Sequence, residues 1–379
     1  MAIGETFRVS AGNIERELRN LWRHEAEHEQ VRSGEPVVCA RTLNLVVYPA
    51  DIGDSGFLKD VMGPITTQHP SRAIVIEPMG REANSDFEAR VSASCVSRQG
   101  AGMLGCELIM LRAKPCAYEK LRSVVVPLMV PDLPIFLWWR KPLSDDPTHA
   151  SRERELFDGL AKLADRVVID SAHLTDPAAQ LHRLAEAIRA RRAHAAFSDL
   201  AWARLTTWRQ LVAQFFDGPA VSYADRITDV TVEYNAQGVV SPEPLLLAGW
   251  LASRLDWKPA AQTRGEGSSQ PSEHALVRKG GEVRLRFERS QRAGADDVTG
   301  ITIKADHGAA VFSVCRTQDA SGLAARIEVT GQPPVQRVVR ARDHSTAEMV
   351  SKELELLKHD VQYEEALNAA ASLVGAKTR

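Results

Sequence analysis

Strand-like and helix-like segments alternate through the first half of this chain, and that order leaves few architectures open. "RTLNLVVY" (41–48) and "RAIVIEP" (72–78) are short, apolar and β-branched, which predicts buried strands around a short helix near 58–62. "YEKLRSVVVPLMVPDLPIFLWWR" reads as a helix, a proline-rich connection and a strand ending at Trp138, Trp139 and Arg140. "RERELFDGLAKLAD" is helical and "RVVID" (166–170) is a strand. "DPAAQLHRLAEAIRARR" is a helix with Pro177 near its start, where a missing N–H is tolerated. Repeated β-then-α order predicts a three-layer, mainly parallel, Rossmann-like α/β domain.

One segment breaks that order. "FEARVSASCV" (87–96) alternates apolar and polar residues, the pattern of an antiparallel strand with one wet face. Gly100, Gly102 and Gly105 follow at the spacing G-x-G-x-x-G. A dinucleotide turn would need a helix opening at these glycines and an acid about 20 residues later. Instead "CELIMLRAKP" is a second strand stopped by Pro115, and "SVVVPLMV" holds no acid. The glycines therefore read as a hairpin loop. Cys95 and Cys106 flank it, and pairing of its strands would bring their α-carbons within disulfide range. Buried, inert thiols are the competing account.

The style changes further on. "SDLAWARLTTWRQLVAQFFDGP" predicts one long helix with Ser198 as N-cap, an apolar stripe of Leu205, Trp208, Val212 and Phe215, and a stop at Gly218-Pro219. "ITDVTVEYN" is a strand, "PLLLAGWLASRLDW" a buried helix, and 258–274 a polar loop. Strands are expected around 283–287, 301–304, 311–315 and 326–329. A closing helix starts at the capping box Ser345-x-x-Glu348 and carries Val350, Leu354, Leu357 and Val361 on one face. Residues 1–219 are thus read as the α/β domain with its attached hairpin. Residues 220–379 are read as an α+β domain with a largely antiparallel sheet.

Composition removes several function classes. A formal net charge of −2 gives no field for nucleic acid, and no apolar run reaches a membrane span of about 20 residues. The amphipathic N-terminus lacks the apolar core of a signal peptide, so a cytoplasmic protein is expected. Five cysteines without a close C-x-x-C pair fit neither a zinc ribbon nor a secreted disulfide scaffold. "HEAEH" (24–28) matches the zinc-hydrolase spacing, but the motif sits at the charged end of a helix whose apolar face is Ile14, Leu18, Leu21 and Trp22. No phosphate loop or nucleophile elbow is present, and acids such as Asp132, Asp145 and Asp146 have no base paired with them. No catalytic residue, metal ligand or cofactor is assigned.

Tryptophan paired with arginine stands out instead. Trp138, Trp139 and Arg140 are consecutive at a strand end, and Trp202, Arg204, Trp208 and Arg209 share one helix. These residue types are enriched in interface hot spots, so as a set they point to a binding protein, although each indole taken singly is better read as core. Trp138, Trp139, Arg140, Trp202, Trp208 and Arg209 are the candidate partner-binding residues, belonging to a docking surface or bracing it.

"HPSRAIVI" (69–76), "VPDLPIFLWWR" (130–140), "FSDLAWARLTTWRQLVAQFFD" (197–217) and "ELELLKHDVQYEEAL" (353–367) together resemble the OpcA family of glucose-6-phosphate dehydrogenase assembly proteins. The resemblance implies a non-catalytic partner that binds this dehydrogenase, favours its active oligomer and activates it at the entry to the oxidative pentose phosphate pathway. Similar proteins of photosynthetic bacteria also answer to thioredoxin. No cysteine lies beyond Arg316, so the resemblance would place such a switch at Cys95 and Cys106. The alternative is an α/β domain that itself binds a sugar phosphate or nucleotide, as sensor or enzyme, with Arg72 and Arg140 as phosphate ligands.

Overall fold

The computed structural model describes residues 7–33, 37–38, 41–49, 56–80, 82–98, 102–142, 150–173, 176–235, 240–260, 273–292, 297–341 and 344–375. Two sheets organise them, each with its own helices.

The first sheet is built from β1 (Phe7–Val9), β2 (Val37–Val38), β3 (Leu43–Tyr48), β4 (Ser71–Pro78), β5 (Phe87–Arg98), β6 (Gly102–Ala113), β7 (Ile135–Trp139), β8 (Arg166–Ile169) and β9 (Ala196–Asp199). Its order is β1-β5-β6-β4-β3-β7-β8-β9, with β2 added on β6. The strands β6, β4, β3, β7 and β8 run parallel to their neighbours in that row. All six residues of β3 are buried, as expected of a parallel strand covered on both faces. Helices α1 (Ile14–Ser33), α2 (Gly63–Gln68), α3 (Tyr118–Leu128), α4 (Ala150–Ala161) and α5 (Pro177–Arg191) fall between the strands in sequence, although Ser171–Arg189 belongs with the second compact unit. The mainly parallel α/β reading holds.

β5 and β6 pair antiparallel along their whole length, from Phe87↔Ala113 to Arg98↔Gly102. Gly102 and Gly105 are therefore ladder positions, and no helix opens at them, which disposes of a dinucleotide turn. Gly100 lies outside the described residues.

The second sheet contains β10 (Ile227–Tyr234), β11 (Lys258–Pro259), β12 (Glu273–Arg278), β13 (Gly281–Arg289), β14 (Val298–Ala305), β15 (Ala310–Arg316), β16 (Gly322–Val329) and β17 (Val335–Arg340). The order is β11-β12-β13-β10-β14-β15-β16-β17, antiparallel throughout except for the β10–β13 pair. One face is apolar and buried: Val230, Val232, Leu285, Phe287, Ile301, Ile303, Phe312 and Val314. Alternate residues such as Glu233, Arg284, Arg286 and Thr302 occupy the other face. Helix α8 (Pro242–Arg254) is buried from Pro242 to Ala252 and packs on α10 (Val361–Val374). Gly249 permits that approach, because a Cβ there would stand 2.3 Å from the carbonyl oxygen of Ala366.

The boundary at residue 219 does not describe this division. One compact unit comprises Met1–Asp170, Ala190–Ser198 and Ser345–His359, and the other Ser171–Arg189, Asp199–His344 and Asp360–Arg379. The long helix expected from Ser198 joins the second unit, where its later part packs on β15. It is also two helices, α6 (Leu200–Arg204) and α7 (Thr206–Phe215), separated at Leu205. Asp199 rather than Ser198 caps it, accepting from the Ala201 N–H at 3.0 Å. The closing helix is likewise two. α9 (Thr346–Glu353) begins at the expected Ser345/Glu348 box, and Asp360 starts α10 by capping the Tyr363 N–H at 3.0 Å. β12 and β17 were not anticipated from the sequence. The polar loop expected at 258–274 mostly lies outside the described residues, with β12 beginning inside it at Glu273.

Candidate functional site

Chain order reverses on either side of β3, and open α/β sheets take ligands in the crevice at the C-terminal strand ends of such a switch point. Here aromatic side chains occupy those ends. Trp139 stacks on Tyr48 at 4.3 Å and meets Phe157 edge-on at 5.1 Å. Trp138 points to the opposite face, as its neighbour position demands, and packs on Phe57 at 5.5 Å. The Arg140 guanidinium covers the Phe57 ring at 4.0 Å and the Trp138 ring at 5.4 Å. Tyr48 donates to Glu153 at 2.8 Å, its hydroxyl lies 3.0 Å from that of Tyr118, and Lys141 joins Glu153 at 2.9 Å. Burial, reinforced by Tyr118 and Glu153, pushes the Tyr48 hydroxyl far above its ordinary value and Tyr118 up to about 12.

Trp138, Trp139, Trp202 and Trp208 are only 1–5% exposed. These four indoles are therefore core side chains, packed among their neighbours rather than offered to solvent. Trp202 donates through Nε1 to Asp360 at 2.8 Å, and Arg209 lies over its ring at 3.5 Å. Burial lowers the Arg209 pKa to about 10, with Asp360 acting against that shift. Asp199 accepts from the Ser171 N–H at 2.9 Å and from the Tyr363 hydroxyl at 3.2 Å. The predicted pair Trp202 and Arg209 thus belongs to one cluster around the start of α10.

Two clusters in the first unit escaped the sequence reading. Arg72 and Glu107 are direct cross-strand neighbours on β4 and β6, bonded at 2.5 Å. Arg72 also reaches Glu15 at 2.5 Å and the Leu128 carbonyl at 2.7 Å, while Glu107 accepts from Trp22 Nε1 at 2.6 Å and from Arg41. Burial alone would raise the Glu107 carboxyl, but the bond and charge of Arg72, with Arg41, hold it below the usual range. Arg72 is therefore committed to carboxylates and a carbonyl, not poised for phosphate. A lone glutamate inside the apolar run "CELIML" was the available signal. The second cluster surrounds Arg166, 1% exposed, which donates to the carbonyls of Leu356 (2.7 Å) and Lys358, to Ser198, and at 3.4 Å to Glu353. Only an arginine opening an apolar strand hinted at it.

The cysteine pairing is corrected by register. Position 95 faces Gly105 and Cys106 faces Ser94, so 95 and 106 fall on opposite faces of the ladder and cannot be bridged there. Cys106 is buried and free, donating to the Thr66 carbonyl, with its thiol pushed up by burial. Among the described residues no His, Cys, Asp or Glu cluster could hold a metal. His24 is exposed, and the His28 side chain lies outside the described residues, as do Asp145 and Asp146. No helix among the described residues is long and apolar enough to cross a membrane.

The family described as "glucose-6-phosphate dehydrogenase subunit" matches twice in order, its N-terminal domain at residues 63–186 and its C-terminal domain at 195–367. A protein of Nostoc punctiforme provisionally named OxPP cycle protein OpcA is 27% identical over 326 residues, 82% of this chain and 66% of that one. Its namesake in Synechocystis is 27% identical over 344 residues, 84% of this chain and 66% of that one. The Synechococcus elongatus namesake is 31% identical over 202 residues, 52% of this chain and 42% of that one. The chain thus spans just under two thirds of the length of the first two. Among solved structures, a protein of Parabacteroides merdae provisionally described as an oxidoreductase has a TM-score of 0.49 at 10% identity, covering 88% of this chain and 97% of that one. With consecutive matches to both domains of one family over more than three quarters of its length, this chain belongs to the OpcA family of glucose-6-phosphate dehydrogenase subunits.

Proposed function

We propose that the chain is a non-catalytic subunit that assembles with glucose-6-phosphate dehydrogenase and activates it, feeding the oxidative pentose phosphate cycle. The observation that carries this reading is the pair of consecutive subunit-domain matches. It is supported by the strand ends of the α/β switch point, which are filled by aromatic packing, Tyr48 on Trp139 at one face and Trp138 on Phe57 at the other, rather than left open as a ligand crevice. An activator must bind the active form of its client more tightly than the inactive one, because equal affinity shifts nothing. In this reading Trp138, Trp139, Arg140, Trp202, Trp208 and Arg209 hold the docking framework rigid and do not touch the client. The sugar-phosphate alternative is weakened by Arg72, whose guanidinium is already bonded to Glu107 and Glu15. Thioredoxin would have to act through something other than a Cys95–Cys106 bridge.

The test is the rate of the dehydrogenase from the same organism, at sub-saturating substrate, as purified protein is titrated in. A saturable rise is expected. A flat titration, with no complex on size exclusion, would sink the assignment.

A further inference from the structure

We propose that the outer edge of β17 is the docking strand for an extended, acidic segment of the dehydrogenase, which adds to the second sheet as a further strand. The proposal rests on the subunit reading above.

β17 closes the sheet order, paired on one side with β16 from Gly322↔Arg340 to Ile327↔Val335. Among the described residues nothing pairs with its other side, which leaves a row of backbone donors and acceptors for an incoming strand. Val335 and Val338 are 62% and 60% exposed. Being three positions apart they stand on opposite faces of the strand, so an added strand would find an apolar neighbour on each face.

Charge selects the occupant. Arg337 and Arg340 are exposed on the same strand, which carries no acid. Arg337 donates to the neutral Gln214 amide, and neither arginine has a carboxylate partner among the described residues. A second copy of this chain, set edge to edge, would line the seam with arginines from both strands and no acid between them, and like charges across strands are destabilising. An acidic strand pairs with both and is steered toward them.

Hydrogen exchange of the chain with and without the dehydrogenase, beside affinities for the native chain and the R337E/R340E variant, tests this. Slowed exchange at 335–340 in the complex and a Kd raised at least about tenfold by the charge reversal are expected. If the native chain binds while 335–340 exchange freely and the variant binds equally well, the edge proposal falls and the subunit reading stands. If the native chain does not bind at all, both fall. Protection that appears with rising protein concentration alone would give the edge to a second copy and overturn the proposal. Should the variant lose stability, the exchange pattern of the native complex decides.

Discussion

Trp139 lies face to face with Tyr48, ring centroids 4.3 Å apart and planes inclined by 9°. With Trp139 only 2% exposed, its removal acts on the isolated chain before any partner is present. Trp139→Ala is expected to cost about 3–5 kcal/mol, as deleting a large buried aromatic does. Urea denaturation followed by circular dichroism measures it, and a loss within the scatter of surface variants would show that the stack is dispensable. Activation assays on this variant must therefore be read at temperatures where it is still folded.

Acid should dismantle the Arg72–Glu107 pair. The folded Glu107 carboxyl is held below its ordinary value, so across that interval the unfolded chain binds more protons. Its contribution is present above the ordinary carboxylate range and is lost as pH falls through the depressed folded value. Glu107→Gln is expected to flatten this part of the acid limb. It leaves Arg72 buried beside a neutral amide, which costs about 3–5 kcal/mol at neutral pH when a buried pair is broken. Denaturation series from neutral to acid pH would reveal either change, and parallel curves for variant and native chain would count against the pairing.

At the alkaline end the sign reverses. Tyr48, Tyr118 and Tyr363 have hydroxyls raised first by burial, Tyr118 to about 12. Their contribution is complete below the ordinary tyrosine value of about 10 and fades as pH rises above it. Tyrosinate absorbance from these three should stay silent near that value and appear together with unfolding. Titration of all tyrosines as a single ordinary class would refute the burial.

Arg166 holds the carbonyls of Leu356 and Lys358, although Leu356 and Leu357 themselves are 51% and 55% exposed. The segment between α9 and α10 is thus fixed by hydrogen bonds from one buried guanidinium rather than by its own burial. Arg166→Met should speed amide exchange selectively at 354–359 while β10–β16 remain slow. Uniform acceleration across the chain would mean that the residue serves global stability instead.

The β-then-α order was legible because strand and helix periodicities are local, and the mainly parallel sheet follows from them. Which core a helix joins is not local. "SDLAWARLTTWRQL" has an unbroken helical stripe, yet it kinks at Leu205, and Ser198 and Asp199 are equally good caps by type. The indoles were ambiguous for a related reason: aromatic residues at a strand end suit an interface and a core alike, and their burial is set by neighbours distant in sequence such as Tyr48, Phe57 and Phe157. β17 was missed because an edge strand with two exposed valines and two arginines lacks the apolar alternation of a half-buried one.

Residues 345–359 belong with a unit whose other members end at Ser198. On the ribosome, at about 5–20 residues per second, the first sheet therefore waits through the synthesis of the entire second sheet before Arg166 meets the carbonyls it binds. During that interval Arg166 has Ser198 but lacks Glu353 and the carbonyls of Leu356 and Lys358. The last ties of the first unit can therefore form only after residues 345–359 have been made, however early its strands have paired.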